Sequence, residues 1–182
     1  MPTIMTHAAV PLALAVAAGR GKIGPKLAFA GIVLAMFPDA DVVSFSLGVP
    51  YEAAWGHRGA SHSITLAFVI SVVVTVLLQP GRPVVAFLFL WMSAASHGLL
   101  DMLTDGGLGV AALWPWEDSR FFAPIRPVQV SPIGIGSFLS MEGWSVIKSE
   151  LRSIWLPLSI MTAMIWGMRR AYSWQSRPLP VF

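Results

Sequence analysis

The 182-residue chain contains no cysteine, and only 12% of its residues are charged. Without thiols there is no disulfide framework and no thiolate metal site, so any metal ligands must be histidine, carboxylate or water. The shortage of charge, against about 25% in soluble domains, excludes an ordinary soluble fold. Histidine is scarce as well, at four. No charged residue precedes His7. Ala15-Val16-Ala17-Ala18-Gly19 resembles a signal-peptide cleavage site, but the charged n-region is missing, so this segment is expected to be a first helix. Repeats of 20 to 50 residues and low-complexity tracts are absent too.

What is present is apolar: 55% of residues are hydrophobic, and there are eight tryptophans. The composition predicts an integral membrane protein with indoles at the interface, and its basic excess reads as cytoplasmic loops rather than a nucleic-acid surface. Five apolar segments stand out, at about Ile4 to Ala18, Leu27 to Phe37, Ser63 to Gln79, Pro83 to Met102 and Ile154 to Met168. A spanning helix needs about 20 residues, so the first two are short and the third and fourth are read as full-length. Pro80-Gly81-Arg82-Pro83 is a tight turn that folds the third and fourth into a hairpin. Gly106 to Arg152 reads as a long loop. The expected fold is all-α: one polytopic membrane domain over 1–182, with four or five transmembrane or membrane-embedded helices.

Placed on that up-and-down path, the charged residues sort by side. All four histidines and all nine acidic residues fall at one end, whereas Arg20, Lys22, Lys26, Arg82, Arg169, Arg170 and Arg177 occupy the other. The positive-inside rule makes the purely basic end cytoplasmic and the His/Asp end extracytoplasmic, although Arg58, Arg120, Arg126, Lys148 and Arg152 also lie at the acidic end.

His97 and Asp101, at i and i+4, share one helix face and can reach a common ion. A carboxylate at the membrane costs about 2.5 to 3.5 kcal/mol on lenient scales, so it needs a metal or a cation, unless the pair is only a hydrogen bond locking two helices. Asp39 and Asp41 repel each other unless cations are near; Asp39 could equally sit in the turn after Pro38. His57 and His62 are too far apart for one helix face, and Gly59 gives the backbone freedom to bring them together. Arg58, between them, suits a phosphate or a developing oxyanion, or else caps a loop carbonyl. His7 reads as a helix-start cap or a ligand. Asp105, before Gly106-Gly107, reads first as a turn and second as a ligand or base. Ser61 and Ser63 flank His62, but no nucleophile elbow accompanies them. Glu142 and Glu150 lie in a loop whose shape the spacing does not decide, and Trp114, Trp116 and Trp144 read as interfacial anchors.

Phe37-Pro38-Asp39-Ala40-Asp41, Gly56-His57-Arg58-Gly59-Ala60-Ser61-His62-Ser63, Ser96-His97-Gly98-Leu99-Leu100-Asp101-Met102-Leu103-Thr104, Leu113-Trp114-Pro115 and Pro124-Ile125 occur in that order. Over roughly residues 1 to 127 this set resembles the bacterial membrane-bound metal-dependent hydrolases described as LexA-regulated. The resemblance implies a hydrolase of the inner membrane. A more distant likeness is to the zinc-dependent phospholipases C, which would match His7, Asp41, His57 or His62, and His97 with Asp101 to metal ligands. It breaks down after His97, where no further histidine follows.

The leading expectation is therefore a metallohydrolase that cleaves a phosphoester of a lipid or lipid-linked substrate. His7, Asp41, His57, His62, His97 and Asp101 would hold one or two divalent ions, zinc first, manganese or iron otherwise. Asp39 or Asp105 would be the general base, and Arg58 would steady transition-state charge. The rivals are a metal transporter or metal-binding regulator, a non-catalytic scaffold, and a metal-dependent hydrolase of an amide or carboxylic ester.

Overall fold

The computed structural model describes residues 1–131 and 140–175. The chain is a polytopic all-helical membrane protein, and no strand forms among the described residues, only the isolated bridges Thr104 to Val128 and Val110 to Phe121. The helices are α1 (Ile4–Ala18), α2 (Pro25–Met36), α3 (Val43–Ser46), α4 (Ile64–Leu78), α5 (Pro83–Met102), α6 (Met141–Glu150) and α7 (Leu156–Gln175).

Two elements run further than the hydropathy suggests. A 3-10 turn, Phe37–Val42, carries α2 into α3, so the helical run Pro25–Ser46 reaches 22 residues and is long enough to span. Pro38 and the two aspartates read as a stop in the sequence, but the 3-10 turn tolerates a proline at its start. Similarly, a π-helical turn, Leu151–Trp155, joins α6 to α7. That helix starts at Met141, where the Ser140 hydroxyl caps it by accepting from the Glu142 N–H at 3.2 Å. The loop after α5 is correspondingly shorter than expected.

Three runs are long and apolar enough to cross a bilayer, Pro25–Ser46, Pro83–Met102 and Met141–Ser173. The 15-residue helices α1 and α4 are not. Each is about 22 Å long against a hydrocarbon layer of about 30 Å, so α4 falls short of the full span read from its sequence. It is bounded by Ser63, whose hydroxyl accepts from the Leu66 N–H at 3.0 Å, and by Gln79 in the left-handed region.

The central helix is α5, which packs against α1, α2 and α4. Ile23, Leu34, Ala67, Phe89, Leu90 and Ala94 form the buried core between them. Lipid tails are as apolar as leucine, so close approach has to hold these helices together. Gly31 provides it: a Cβ there would stand 2.5 Å from the Phe89 ring. Mid-helix hydroxyls turn back on their own backbones, with Ser71 donating to Ala67 O, Thr75 to Ser71 O and Thr162 to Leu158 O, all at 2.7 Å.

Candidate metal centre

Four separate segments meet at one end of this bundle. The last turns of α5 present His97 and Asp101, both with no solvent exposure. His97 lies about 8 Å below the end of α5, at five residues of 1.5 Å each. The 3-10 turn after α2 supplies Asp39 and Asp41. A second 3-10 turn, Ala60–His62, supplies His62, and it can rest on α5 because residue 98 is glycine: a Cβ there would lie 2.5 Å from the His62 carbonyl oxygen. From α1 comes His7, whose ring stacks on His97 with centroids 3.8 Å apart.

The inner cluster is Asp39, His62, His97 and Asp101, all buried. His62 Nε2 stands 3.0 Å from His97 Nε2, 3.8 Å from Asp39 Oδ1 and 3.4 Å from Asp101 Oδ2. His97 Nε2 is 3.2 Å from Asp39 Oδ1. Donors about 2.0 to 2.1 Å from one tetrahedral ion lie about 3.3 Å apart, so these separations fit the edges of a single coordination shell.

Proton accounting points the same way. His97 Nδ1 lies 2.7 Å from the Ala35 carbonyl, which can only accept, so that nitrogen carries the hydrogen and Nε2 of the neutral ring is a bare lone pair. Ser61 donates its hydroxyl hydrogen to Asp41 Oδ2 at 2.5 Å, so its oxygen, 3.0 Å from His62 Nδ1, must accept. The neutral His62 ring therefore also has a bare Nε2. With both rings neutral the two lone pairs would face each other at 3.0 Å beside two carboxylates, so the arrangement calls for a shared proton or a cation. Both oxygens of Asp39, Asp101 Oδ1 and both ring nitrogens of His7 are buried without a hydrogen bond, and Asp101 Oδ2 is held only by its ion pair with Arg58. Buried polar groups are seldom left so, and a cation at the common point would satisfy them. Burial opposes charge on His62, but Asp101, Asp39 and Asp41 outweigh it and push its pKa up to about 10.

An outer layer orients this cluster. Asp41 accepts from His57 Nδ1 at 2.6 Å and from the Arg58 N–H at 3.2 Å, and its Oδ2 is 3.2 Å from His62 Nδ1. It thus stands behind His62 as carboxylates stand behind metal-bound imidazoles. Asp41, His57 and His62 could themselves hold an ion, but only by sharing His62 with the inner cluster. His7 approaches from the far side, its Nε2 3.6 Å from Asp101 Oδ1.

Arg58 is buried and does not face an open space. Its Nε pairs with Asp101 Oδ2 at 3.1 Å, Nη1 donates to Gly106 O at 2.9 Å and Nη2 to the Thr104 hydroxyl at 3.2 Å. Its backbone sits in the left-handed region at φ 62°. That uncommon conformation lets its N–H reach Asp41 while its side chain reaches Asp101. Asp105 is exposed and outside the cluster, and its carboxylate accepts from the Val130 N–H at 2.9 Å.

Sequence reasoning missed Arg120, which donates to the carbonyls of His57, Tyr51 and Ala53 at 2.8 to 3.1 Å and so fixes the His57 loop. It left Glu150 undecided. This residue is buried, accepting from the Thr3 N–H and from the Thr3 and Thr6 hydroxyls. Neither carried a signal, because their partners are backbone groups and hydroxyls far away in sequence.

The chain is 46% identical over 174 residues to "Inner membrane protein YbcI" of Escherichia coli K12, an alignment covering 93% of this chain and all of that protein. It is 28% identical over 173 residues to "Inner membrane protein YdjM" of the same organism, covering 85% of this chain and 82% of the relative. No solved structure matches. The model of the family described as YdjM inner membrane protein matches residues 1–174, and the chain belongs to that family.

Proposed function

We propose that the protein is a membrane-embedded metal-dependent hydrolase that cleaves a phosphoester of a lipid or lipid-linked substrate. The observation that carries this reading is the convergence of His62 Nε2 and His97 Nε2, 3.0 Å apart, with the buried carboxylates of Asp39 and Asp101 on one point. Two nitrogen and two oxygen donors suit zinc first and manganese or iron next, with His7 near enough to add a fifth. A bound divalent ion would supply Lewis acidity and acidify water at neutral pH.

The chain's own residues divide the remaining work. Asp39 directs Oδ1 at the two imidazoles, leaving Oδ2 to take the proton of the attacking water. As the phosphorus to ester-oxygen bond breaks, that proton passes to the departing alkoxide. Arg58 does not touch the substrate in this reading; it holds Asp101 in place. Lipid is favoured because Phe45 on α3 and Leu47, Trp55 and Trp116 on the loops around the cluster are exposed, where they would lie among head groups. The self-satisfied mid-helix hydroxyls disfavour an ion path through the bundle.

A second reading is favoured by one observation, the burial of all four inner donors: a structural ion that locks the turn after α2, the turn before α4 and α5 together. Purified protein assayed for metal content and for phosphate release from a panel of phospholipids and polyprenyl phosphates separates the two. The hydrolase should hold about one ion per chain, and His97→Ala should lose both ion and release. Full release by the metal-free protein would refute the proposal. A stoichiometric ion with no release from any substrate would leave the structural reading.

A further inference from the structure

The opposite end of the molecule holds a second feature. A crevice of about 650 Å3 opens between the α1–α2 turn and the α4–α5 turn, lined by Lys22, Lys26 and Arg82. No carboxylate lines it, and none pairs with these three among the described residues. Two other basic groups at this end are differently employed. Arg169 donates to the Ala17 and Val16 carbonyls that end α1, and Arg170 lies over the Trp166 ring. Lys22 and Lys26 have no such partner, and Arg82 gives one hydrogen bond to Gly21 O at 3.2 Å.

Helix ends add to this field. Both α2 and α5 begin here, at Pro25 and Pro83, and neither has a side chain capping its first N–H groups. Two uncapped N-termini and three cations at the rim of one crevice make a site for an anion with several acceptor oxygens. An apolar groove of about 360 Å3 continues from it between α2 and α4, past Phe29, Val33 and Val74. Lys26 and Leu78 line both spaces, so the groove and the crevice meet. The ligand thus needs an anionic head and a chain.

We infer that this crevice and groove form a binding site for an anionic phospholipid, the head-group phosphate held by Lys22, Lys26 and Arg82 and one acyl chain lying along α2 and α4. The site is distinct from the His/Asp cluster. Along α5, Pro83 and His97 are 14 residues apart, about 21 Å, so the head-group phosphate held here lies far from the cluster. Its head sits at the interface to which the chain's bare basic end belongs.

Native mass spectrometry of the purified protein tests this with dioleoyl phosphatidylglycerol, dioleoyl phosphatidylcholine and glycerol 3-phosphate. Wild type should retain phosphatidylglycerol in preference to phosphatidylcholine. Lys22→Gln/Lys26→Gln should weaken that retention at least about tenfold, with metal content unchanged. Ala30→Phe, which narrows the groove and leaves every charge, should weaken it too. Equal retention of the two lipids, or undiminished retention in either variant, would overturn the assignment. Displacement of the lipid by glycerol 3-phosphate would also overturn it, because the crevice would then read a free phosphate. The metal measurement keeps this outcome separate from failure of the hydrolase reading.

Discussion

His62 is the residue on which the cluster turns. It faces Asp39, Asp101 and His97 with one nitrogen and Asp41 with the other, and its surroundings demand positive charge. In the metal-free chain a proton answers that demand, which is why its pKa rises to about 10. An ion must displace the proton, so apparent metal affinity should rise with pH, approaching about tenfold per unit from neutrality towards pH 10. Stability of the metal-free chain has the opposite sign. The His62 pKa is raised above the ordinary histidine value of 6.5, so its contribution is complete below that value and is lost as pH rises through about 10. Metal titrations and unfolding temperatures from pH 6 to 9 check both slopes; affinity independent of pH would remove His62 from the inner shell. The composition of the cluster was legible in the sequence, since only histidine and carboxylate were available and all sorted to one end. Their roles were not. Asp41 precedes His62 by 21 positions and Arg58 precedes Asp101 by 43, and no spacing rule reports which of them belongs to the inner cluster and which stands behind it.

Among the elements, α1 depends on a residue from the other end of the chain. It is capped by Thr3, whose side chain makes no capping bond, so its first N–H groups need another acceptor. Glu150 supplies it, bonding the Thr3 N–H and the Thr3 and Thr6 hydroxyls, while Trp155 Nε1 donates to the Thr6 hydroxyl at 2.7 Å. This latch holds the turn that carries His7. Glu150→Gln should therefore destabilise the protein by about 1.5 to 3 kcal/mol, the usual range for a hydrogen bond to a charged group. Metal affinity should fall as well. Thermal unfolding with and without added ion measures both effects, and a variant as stable as wild type would show that the latch does not hold α1. Gly98→Val is a second test at this scale. Its branched side chain would meet the His62 carbonyl, forcing the His62 turn off α5, and should abolish metal binding without removing any ligand. The hairpin of α4 and α5 was readable because Pro and Gly punctuate it. The continuation of α2 past Pro38 and the start of α6 at Met141 were not, because hydropathy falls at the very residues that serve the site and its supports.

The whole molecule divides its chemistry between two ends. Carboxylates and histidines gather where α1 begins and α5 ends, and uncompensated cations gather where α2 and α5 begin. A transmembrane field and an anionic leaflet act on such a charge distribution in one direction only, which fixes the expected orientation: basic end inward, His/Asp end outward. Because the chain has no cysteine, single introduced cysteines report on their own positions without background. Gly81→Cys lies in the α4–α5 turn, where an added side chain meets nothing within 4 Å, and Ser119→Cys lies on the exposed loop beyond α5. In intact spheroplasts a membrane-impermeant maleimide should label the Ser119→Cys protein at once and the Gly81→Cys protein only after lysis. The reverse pattern would put the His/Asp cluster in the cytoplasm, where the proposed hydrolase would have to meet its lipid on the inner leaflet and the basic crevice would face outward, away from the cytoplasmic anionic lipids that would favour its occupancy.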